Sequence, residues 1–358
     1  MRGFYGQLWP MSIVDWPGHK EDREECEQCR LQKFSASGKM ARNIYFNPLH
    51  TMKRIFVLPL LLCLGIITNS AMAQSLVAPG ASVVQLAGGF RFTEGPAADS
   101  KGNVYFVDEQ SSRIHRWCVT ENRVSVFIEE SAHANGMYFD KNDNLYVCEG
   151  GTGSVVRYTL DGERTVVANK FGARHFNKPN DLWVDPKGGI YFTDPVYGRN
   201  FHVVQGGEHV YYISPDRSKI TRVIEATGPQ GEFVKPNGVI GTPDGKFLYV
   251  ADIDGRVVYR YDIQEDGTLT GKHAFASPYA VDGMTIDERG NVYLTPWNIR
   301  NVVIIYSPEG REIERIAIPE QPANVTFGGR DFRTLFITAH SGLYAVEMTV
   351  RGAFAPTP

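Results

Sequence analysis

The sequence predicts an all-β fold, a six-bladed β-propeller in which an N-terminal strand closes the last blade. The chain of 358 residues contains 36 Gly and 20 Pro with 17 Tyr and 20 Phe, a composition that favours short strands joined by many turns. No segment after residue 73 shows sustained helical periodicity. One sequence pattern also occurs six times, at intervals of 41 to 57 residues, which is the repeat length of propeller blades.

Each copy of the pattern has a polar leading residue, an apolar run, a turn containing Gly or Asp, and a second apolar run that ends near an acid. The third copy, NDLWVDPKGGIYFTD, and the fifth, DGMTIDERGNVYLTP, show the strand–turn–strand signature of a β-hairpin. A further apolar segment follows most hairpins, so each repeat supplies three or four strands, as one blade requires. The leading residues are Glu94, Asn135, Asn180, Asn237, Asp282 and Asn324.

One segment outside the six copies completes the predicted architecture. Residues 82–86, SVVQL, precede the first hairpin and belong to no complete blade. We expect them to form the outer strand of the last blade, because pairing the two ends of the chain removes an exposed sheet edge.

Residues 52–73 predict a signal peptide. Lys53 and Arg54 precede an apolar segment, 55–67, and Ala71-Met72-Ala73 matches an A-x-A cleavage site. The apolar segment is shorter than the roughly 20 residues of a membrane-spanning helix, although a membrane anchor is the alternative. Residues 1–51 are then expected to be a leader or an extension outside the native protein, with the propeller at 74–358. The expected location is the periplasm or the cell exterior, with no membrane attachment after cleavage.

The composition also excludes several classes of protein. The formal net charge of −3 and the absence of a long basic run do not fit a nucleic-acid-binding protein. Five Cys are too few for a disulfide-based scaffold. No G-x-S-x-G motif occurs, so a serine hydrolase is not supported. The oligomeric state is left open.

The leading residues predict a metal site. In a propeller, the innermost strands line the central channel, so residues at one repeat position lie at one height around the axis. Two carboxylates and four amides offer only oxygen ligands, which suit Ca²⁺. Mg²⁺ and Mn²⁺ share this ligand chemistry, and Zn²⁺ would more often recruit His or Cys. Asn-Gly and Asp-Gly are also turn dipeptides, so turn chemistry is the alternative for any single copy.

Four longer motifs carry a resemblance to a known family. They are FTEGPAAD (92–99), KPNDLWVDPKGGIYFTDP (178–195), KPNGVIGTPDGKFLYVAD (235–252) and VDGMTIDERGNVYLT (281–295). Through them the chain resembles the gluconolactonase/senescence-marker-protein/luciferin-regenerating-enzyme family over nearly all of the segment that follows residue 73. The resemblance implies a six-bladed ring, a calcium-type divalent metal in the channel and hydrolysis of a lactone.

The resemblance also implies roles for particular residues. The metal ligands of the family fall on Glu94, Asn237 and Asp282, and its acid/base residue falls on Asp282. Asn180 matches an asparagine that contacts metal or substrate. Lys178 stands where one branch of the family has a substrate-binding arginine, and Lys is a point charge rather than a bidentate fork, so a different lactone specificity is possible.

The sequence-based hypothesis is therefore a metal-dependent hydrolase that opens a sugar-type lactone, with Asp282 as general base. Asn135, Lys178, Asn180 and His133 are the expected substrate-binding residues, since His133 precedes Asn135 by two positions and could reach the channel. Two alternatives remain: a non-catalytic ligand-binding propeller with a structural metal, and an esterase acting on another ester.

Overall fold

A computed structural model describes residues 75–197, 202–226 and 233–354. The predicted signal peptide and residues 1–51 lie outside the described residues. The helix among the described residues is a single 3₁₀ turn, Glu109–Ser111. Among these residues, no helix has the length and apolar character of a membrane span.

The described residues form six antiparallel sheets of four strands, each of which is one blade. Strand β1 (Val84–Gly88) comes first in the chain. Blade 1 contains β2 (Thr93–Ala98), β3 (Val104–Asp108), β4 (Arg113–Cys118) and β5 (Arg123–Ile128). Blade 2 contains β6 (Ala134–Phe139), β7 (Leu145–Glu149), β8 (Ser154–Tyr158) and β9 (Arg164–Ala168). A short hairpin, β10 (Lys170–Phe171) and β11 (Arg174–His175), follows.

The remaining blades repeat the same order from the channel outward. Blade 3 contains β12 (Leu182–Val184), β13 (Ile190–Asp194), β14 (His209–Ile213) and β15 (Ile220–Ile224). Blade 4 contains β16 (Pro236–Gly241), β17 (Phe247–Asp252), β18 (Val257–Ile263) and β19 (Leu269–Ala276). Blade 5 contains β20 (Val281–Ile286), β21 (Val292–Pro296), β22 (Val302–Tyr306) and β23 (Glu312–Ala317). Blade 6 contains β24 (Pro322–Gly328), β25 (Thr334–Ala339) and β26 (Gly342–Glu347).

Blade 6 takes its fourth strand from the other end of the chain. Strand β1 pairs antiparallel with β26, with Val84 opposite Ala345 and Gly88 opposite Gly342. The six-bladed ring and its closure by an N-terminal strand are therefore confirmed. The closing strand begins two residues later than the start of the expected segment, 82–86.

The hydrophobic core lies between blades, because each sheet buries both faces against its neighbours. Strands β3, β13 and β21 are buried along their whole length, whereas the outer strand β5 is largely exposed or half-buried. Trp183 of blade 3 shows how close this packing is. A Cβ added at Gly241 of blade 4 would lie 2.2 Å from the indole ring of Trp183.

The innermost strands bulge where the leading residues occur. In blades 1, 2, 4, 5 and 6 the pairing with the second strand shifts register at this point, between Glu94 and Ala97 in blade 1 and between Val281 and Met284 in blade 5. In blade 3, Asn180 lies just before β12 and donates its backbone N–H to the Thr193 carbonyl at 2.9 Å. Such bulges redirect side chains, here at the same position in five of the six blades.

Candidate functional site

The leading residues lie side by side around the channel axis. All are buried except Asn135, which is half-buried. The glycine after a leading residue makes this possible: Gly95 has φ +48°, and a Cβ there would lie 1.9 Å from the Asn135 carbonyl oxygen. A Cβ at Gly238 would lie 2.2 Å from the Asp282 carbonyl oxygen. These glycines therefore permit close approach of neighbouring blades, a role beyond that of a turn residue.

The two leading acids interact within this layer. Burial raises the pKa of Glu94 well above its usual value, and the nearby charge of Asp282 raises it further. Burial likewise raises the pKa of Asp282 to about 7, an effect that the Asn237 amide opposes. A hydrogen bond from the Asn324 side chain likewise opposes the rise in the pKa of Glu94. The layer thus holds two mutually repelling carboxylates surrounded by amides, an arrangement that a cation would stabilise.

A third acid, Asp181, lies beside this pair and was missed by the sequence reasoning. Its Oδ1 accepts a hydrogen bond from the Leu182 N–H at 2.9 Å, and its Oδ2 accepts one from the Val239 N–H of the next blade at 3.2 Å. Burial raises the pKa of Asp181 to about 7. The sequence offers one signal for Asp181. It stands immediately after a leading residue, at the position where four other copies carry Gly.

The donor set fits a hard divalent cation, since carboxylate and amide oxygens are its preferred ligands. The four predicted ligands, Glu94, Asn180, Asn237 and Asp282, all belong to the buried layer. Within the three described ranges, no group of three His, Cys, Asp or Glu side chains is placed to hold one ion. The predicted site is of another kind, with two acids and amides, and it stays a prediction.

Two lysines stand above the layer, each two residues before a leading asparagine. The Nζ of Lys178 lies 3.4 Å from Oε1 of Glu109, and the Nζ of Lys235 lies 3.4 Å from Oε1 of Glu208. Their backbone is fixed by the acid that ends the second strand of the same blade. Asp194 accepts the Lys178 N–H at 2.9 Å, as Asp252 accepts the Lys235 N–H. Both lysines are therefore held at the mouth of the channel.

His133 lies at the same rim. Its side chain is exposed, and its Nδ1 lies 3.1 Å from the Glu109 carbonyl oxygen. The same glutamate pairs with Lys178. The structure thus brings His133 and Lys178 together around Glu109 at the rim, whereas Asn135 lies within the layer of leading residues.

Tyr197 covers the layer from the segment after β13. The Nζ of Lys235 lies 4.5 Å from the centroid of its ring. The phenol oxygen is buried and has no hydrogen-bond partner among the described residues. Burial raises the pKa of Tyr197, and the charges of Asp282, Asp254, Glu208 and Glu94 add to the rise. The 57 residues between the third and fourth leading residues predict an insertion loop at 197–208, which lies between β13 and β14, but the repeat spacing assigns no role to Tyr197.

The opposite end of the channel, where the hairpin turns lie, holds a cavity of about 630 Å³. Its lining includes the turns 99–100, 140–143 and 185–188 and the aromatic residues Tyr138, Trp183 and Phe327. The C-terminal segment crosses this end. Ala353 donates its N–H to the Ile286 carbonyl at 2.9 Å, and Phe354 packs edge-to-face on Tyr138 at 5.6 Å.

Known proteins similar to this chain include several lactonases. A gluconolactonase from Zymomonas mobilis is 27% identical over 299 residues, covering 75% of this chain and 81% of the relative. A pentonolactonase from Haloferax volcanii is 29% identical, covering 70% of this chain and 82% of the relative. The solved structure of a gluconolactonase from Xanthomonas campestris superposes with a TM-score of 0.68 at 25% identity, covering 78% of this chain and 93% of that one.

The family model described as the SMP-30/Gluconolactonase/LRE-like region matches residues 92–341. The matched range begins just before Glu94 and ends after β25, so it contains every leading residue. The resemblance noted from four motifs is thereby confirmed. This chain belongs to the SMP-30/gluconolactonase/LRE-like family.

Proposed function

We propose that this protein is a divalent-metal-dependent lactonase that opens a sugar-type lactone at the end of the channel where the leading residues lie. The observation that carries the proposal is the pair of buried acids, Glu94 and Asp282, whose charges repel each other in a layer of amides. Relatives named as a gluconolactonase and a pentonolactonase support the reaction class.

Glu94, Asn180, Asn237 and Asp282 are the proposed ligands, and Ca²⁺ is the proposed ion, with Mg²⁺, Mn²⁺ and Zn²⁺ as alternatives. A divalent cation bound there would polarise the lactone carbonyl and lower the pKa of a bound water. Neutralising the two acids would also remove the cost of burying them next to each other.

Asp282 is the proposed general base. It would accept a proton from the attacking water and return it to the ring oxygen as the ester bond breaks. Burial raises the pKa of Asp282 to about 7, which supports a group that can gain or lose a proton near neutral pH. A bound cation would favour the carboxylate, the form that a base requires.

The rim would recognise the hydroxyl groups of the lactone. Lys178 and His133 supply donors beside the acceptor Glu109, and Asn135 and Asn180 present amides from the layer below. Paired donors and acceptors suit a neutral polyhydroxylated ligand, because each hydroxyl can both donate and accept.

The proposal is tested by hydrolysis of a panel of lactones in a pH-stat. The panel contains D-glucono-, D-xylono-, homoserine and aromatic lactones, each with Ca²⁺ and after chelation by EDTA. We expect turnover of at least one aldonolactone that EDTA abolishes and Ca²⁺ restores. A well-folded protein with no chelator-sensitive turnover on any member would instead indicate a ligand-binding propeller, and preference for simple aryl esters would indicate an esterase.

We further propose that the protein is exported to the periplasm or the cell exterior, on the basis of residues 52–73. N-terminal sequencing of the protein from the periplasmic fraction should begin after Ala73. Recovery of an uncleaved chain from the membrane fraction would contradict it.

A further inference from the structure

Tyr197 is held in place by charged groups at the rim of the channel. Oε1 of Glu208 accepts a hydrogen bond from the backbone N–H of Val196 and also pairs with the Nζ of Lys235 at 3.4 Å. That ammonium group lies 4.5 Å from the centroid of the Tyr197 ring. One carboxylate therefore fixes both the segment that carries the ring and the cation that packs against it, so the ring is preorganised.

The phenol group lies over the buried layer. Lys235, against which the ring packs, precedes Asn237 by two residues in the strand that leads into the channel. Asp282 and Glu94 are close enough for their charges to raise the pKa of the phenol. Neither carboxylate accepts a hydrogen bond from it, and its oxygen is buried without a partner among the described residues.

A buried hydroxyl without a partner carries a free-energy cost of about 1–3 kcal/mol. A ligand that supplied the missing partner would remove this cost. Because the pKa of Tyr197 is raised, its hydroxyl stays protonated at neutral pH and is a donor. The group it faces should therefore be an acceptor that arrives with the substrate.

We propose that the Tyr197 hydroxyl donates a hydrogen bond to the carbonyl oxygen of the bound lactone. This role rests on the proposed lactonase function and makes Tyr197 a catalytic residue for it. As water adds to the carbonyl carbon, negative charge develops on that oxygen, and a fixed donor stabilises it more strongly than it stabilises the ground state. Lys235 and Glu208 are then positioning residues, since they act through the ring.

The test is Tyr197→Phe, which keeps the ring on Lys235 and removes only the hydroxyl. We expect kcat on the preferred aldonolactone to fall about 100-fold, because one oxyanion donor is lost. KM should change less than about threefold, as for an interaction made in the transition state. Calcium affinity, measured by calorimetry, should equal that of the wild type.

The matched control is Tyr211→Phe in the same blade. Tyr211 is fully buried, and the charges that act on its hydroxyl come from Asp194, Arg222 and Glu225 rather than from the leading residues. We expect its kcat to stay within about twofold of the wild type, since no transition-state contact is lost.

Three outcomes would contradict the inference. Wild-type kcat in Tyr197→Phe would show that the hydroxyl has no role in turnover, and a rise in KM alone would show that it contacts the substrate elsewhere than at the carbonyl. Loss of calcium affinity would show that Tyr197 supports the layer instead. In each case lactone hydrolysis by the wild type would leave the proposed function intact, whereas a wild type inactive on every lactone would overturn both.

Discussion

The two ends of the central channel bury acids in different ways. At the turn end, Asp185 accepts hydrogen bonds from the backbone N–H groups of Lys187 and Gly189, each at 2.8 Å, and from the Tyr212 hydroxyl at 3.1 Å. At the end with the leading residues, Glu94 accepts one from its neighbour Gly95 and faces the charge of Asp282. Both ends belong to the same strands, yet only at the end with the leading residues do buried acids also face one another's charges.

The difference separates acids that stabilise the fold from acids that we propose act in the reaction. An acid surrounded by donors stabilises its turn, and its removal should affect folding. Acids that repel each other in a buried layer destabilise the fold, and such arrangements are typical of functional sites. The cavity of about 630 Å³ lies at the turn end and reaches Gly95, Asp181 and Asn324 from that side, so its volume does not by itself mark the end at which we propose the site.

The largest expected effect comes from removing a charge at each end. Asp282→Asn should lower lactonase kcat by about 10³-fold or more, because the proposed base and the negative charge of a ligand are lost. Without metal its melting temperature should equal or exceed that of the wild type, since the repulsion with Glu94 is relieved. Activity in a pH-stat and thermal unfolding in EDTA measure the two effects.

Asp185→Asn is the matched variant at the turn end. It should cost about 1–3 kcal/mol of unfolding free energy, because the oxygen that accepts from the Tyr212 hydroxyl becomes an amide NH2 group, while kcat changes little. If Asp282→Asn unfolds the protein, or Asp185→Asn abolishes turnover in a folded protein, the distinction between the two ends is wrong.

The second prediction concerns pH and metal. Burial raises the pKa of Asp181 and Asp282 from an ordinary 3.8 to about 7, so the folded protein binds protons more tightly than the unfolded chain does. Stability of the metal-free protein is therefore lost as pH rises from about 4 to about 7. Melting temperatures in EDTA should fall across this range and then level off.

Calcium should reverse this trend, because a bound cation favours the charged carboxylates. The increase in melting temperature on adding Ca²⁺ should grow with pH. A metal-free melting temperature that rises between pH 5 and pH 7 would contradict the assignment of these acids. The Asp185→Asn variant should show the same trend as the wild type.

The smallest expected effect is at the C-terminal segment. Phe354→Ala removes the contact with Tyr138 and should cost about 1–3 kcal/mol, since the ring is only partly buried. Its kcat should match that of the wild type, because the segment covers the end remote from the leading residues. Urea unfolding and lactonase assays check this, and a tenfold fall in kcat would show that the two ends are coupled.

The fold could be predicted from the sequence because it is periodic. Six copies of a hairpin at blade spacing, with an unassigned strand before them, leave few other arrangements. The layer of leading residues could be predicted for the same reason, since equivalent positions in a ring lie at equal height. The site residues drawn from that layer stay predictions, because the comparisons establish the family and not the role of each side chain.

The residues whose importance could not be predicted depart from the repeat pattern. Asp181 replaces a glycine in one copy only, and Tyr197 lies in an insertion that has no equivalent in the other blades. Their importance depends on contacts across blades, such as that of Asp181 with Val239 and that of the Tyr197 ring with Lys235. Local propensity and repeat spacing contain no information about such contacts.

The pairing of β1 with β26 has a consequence for how the protein is made. Val84 pairs with Ala345, so almost the whole chain must be present before this pair can form. The ring therefore closes last, although its closing strand comes first in the chain. Contacts of such sequence separation fold slowly, because the entropy of loop closure is paid before any contact compensates it. The six leading residues come from six separate sheets, and closure of the ring by β1 and β26 brings them into one layer. A chain shortened by one strand at either end would thus lose the site along with the edge of a sheet.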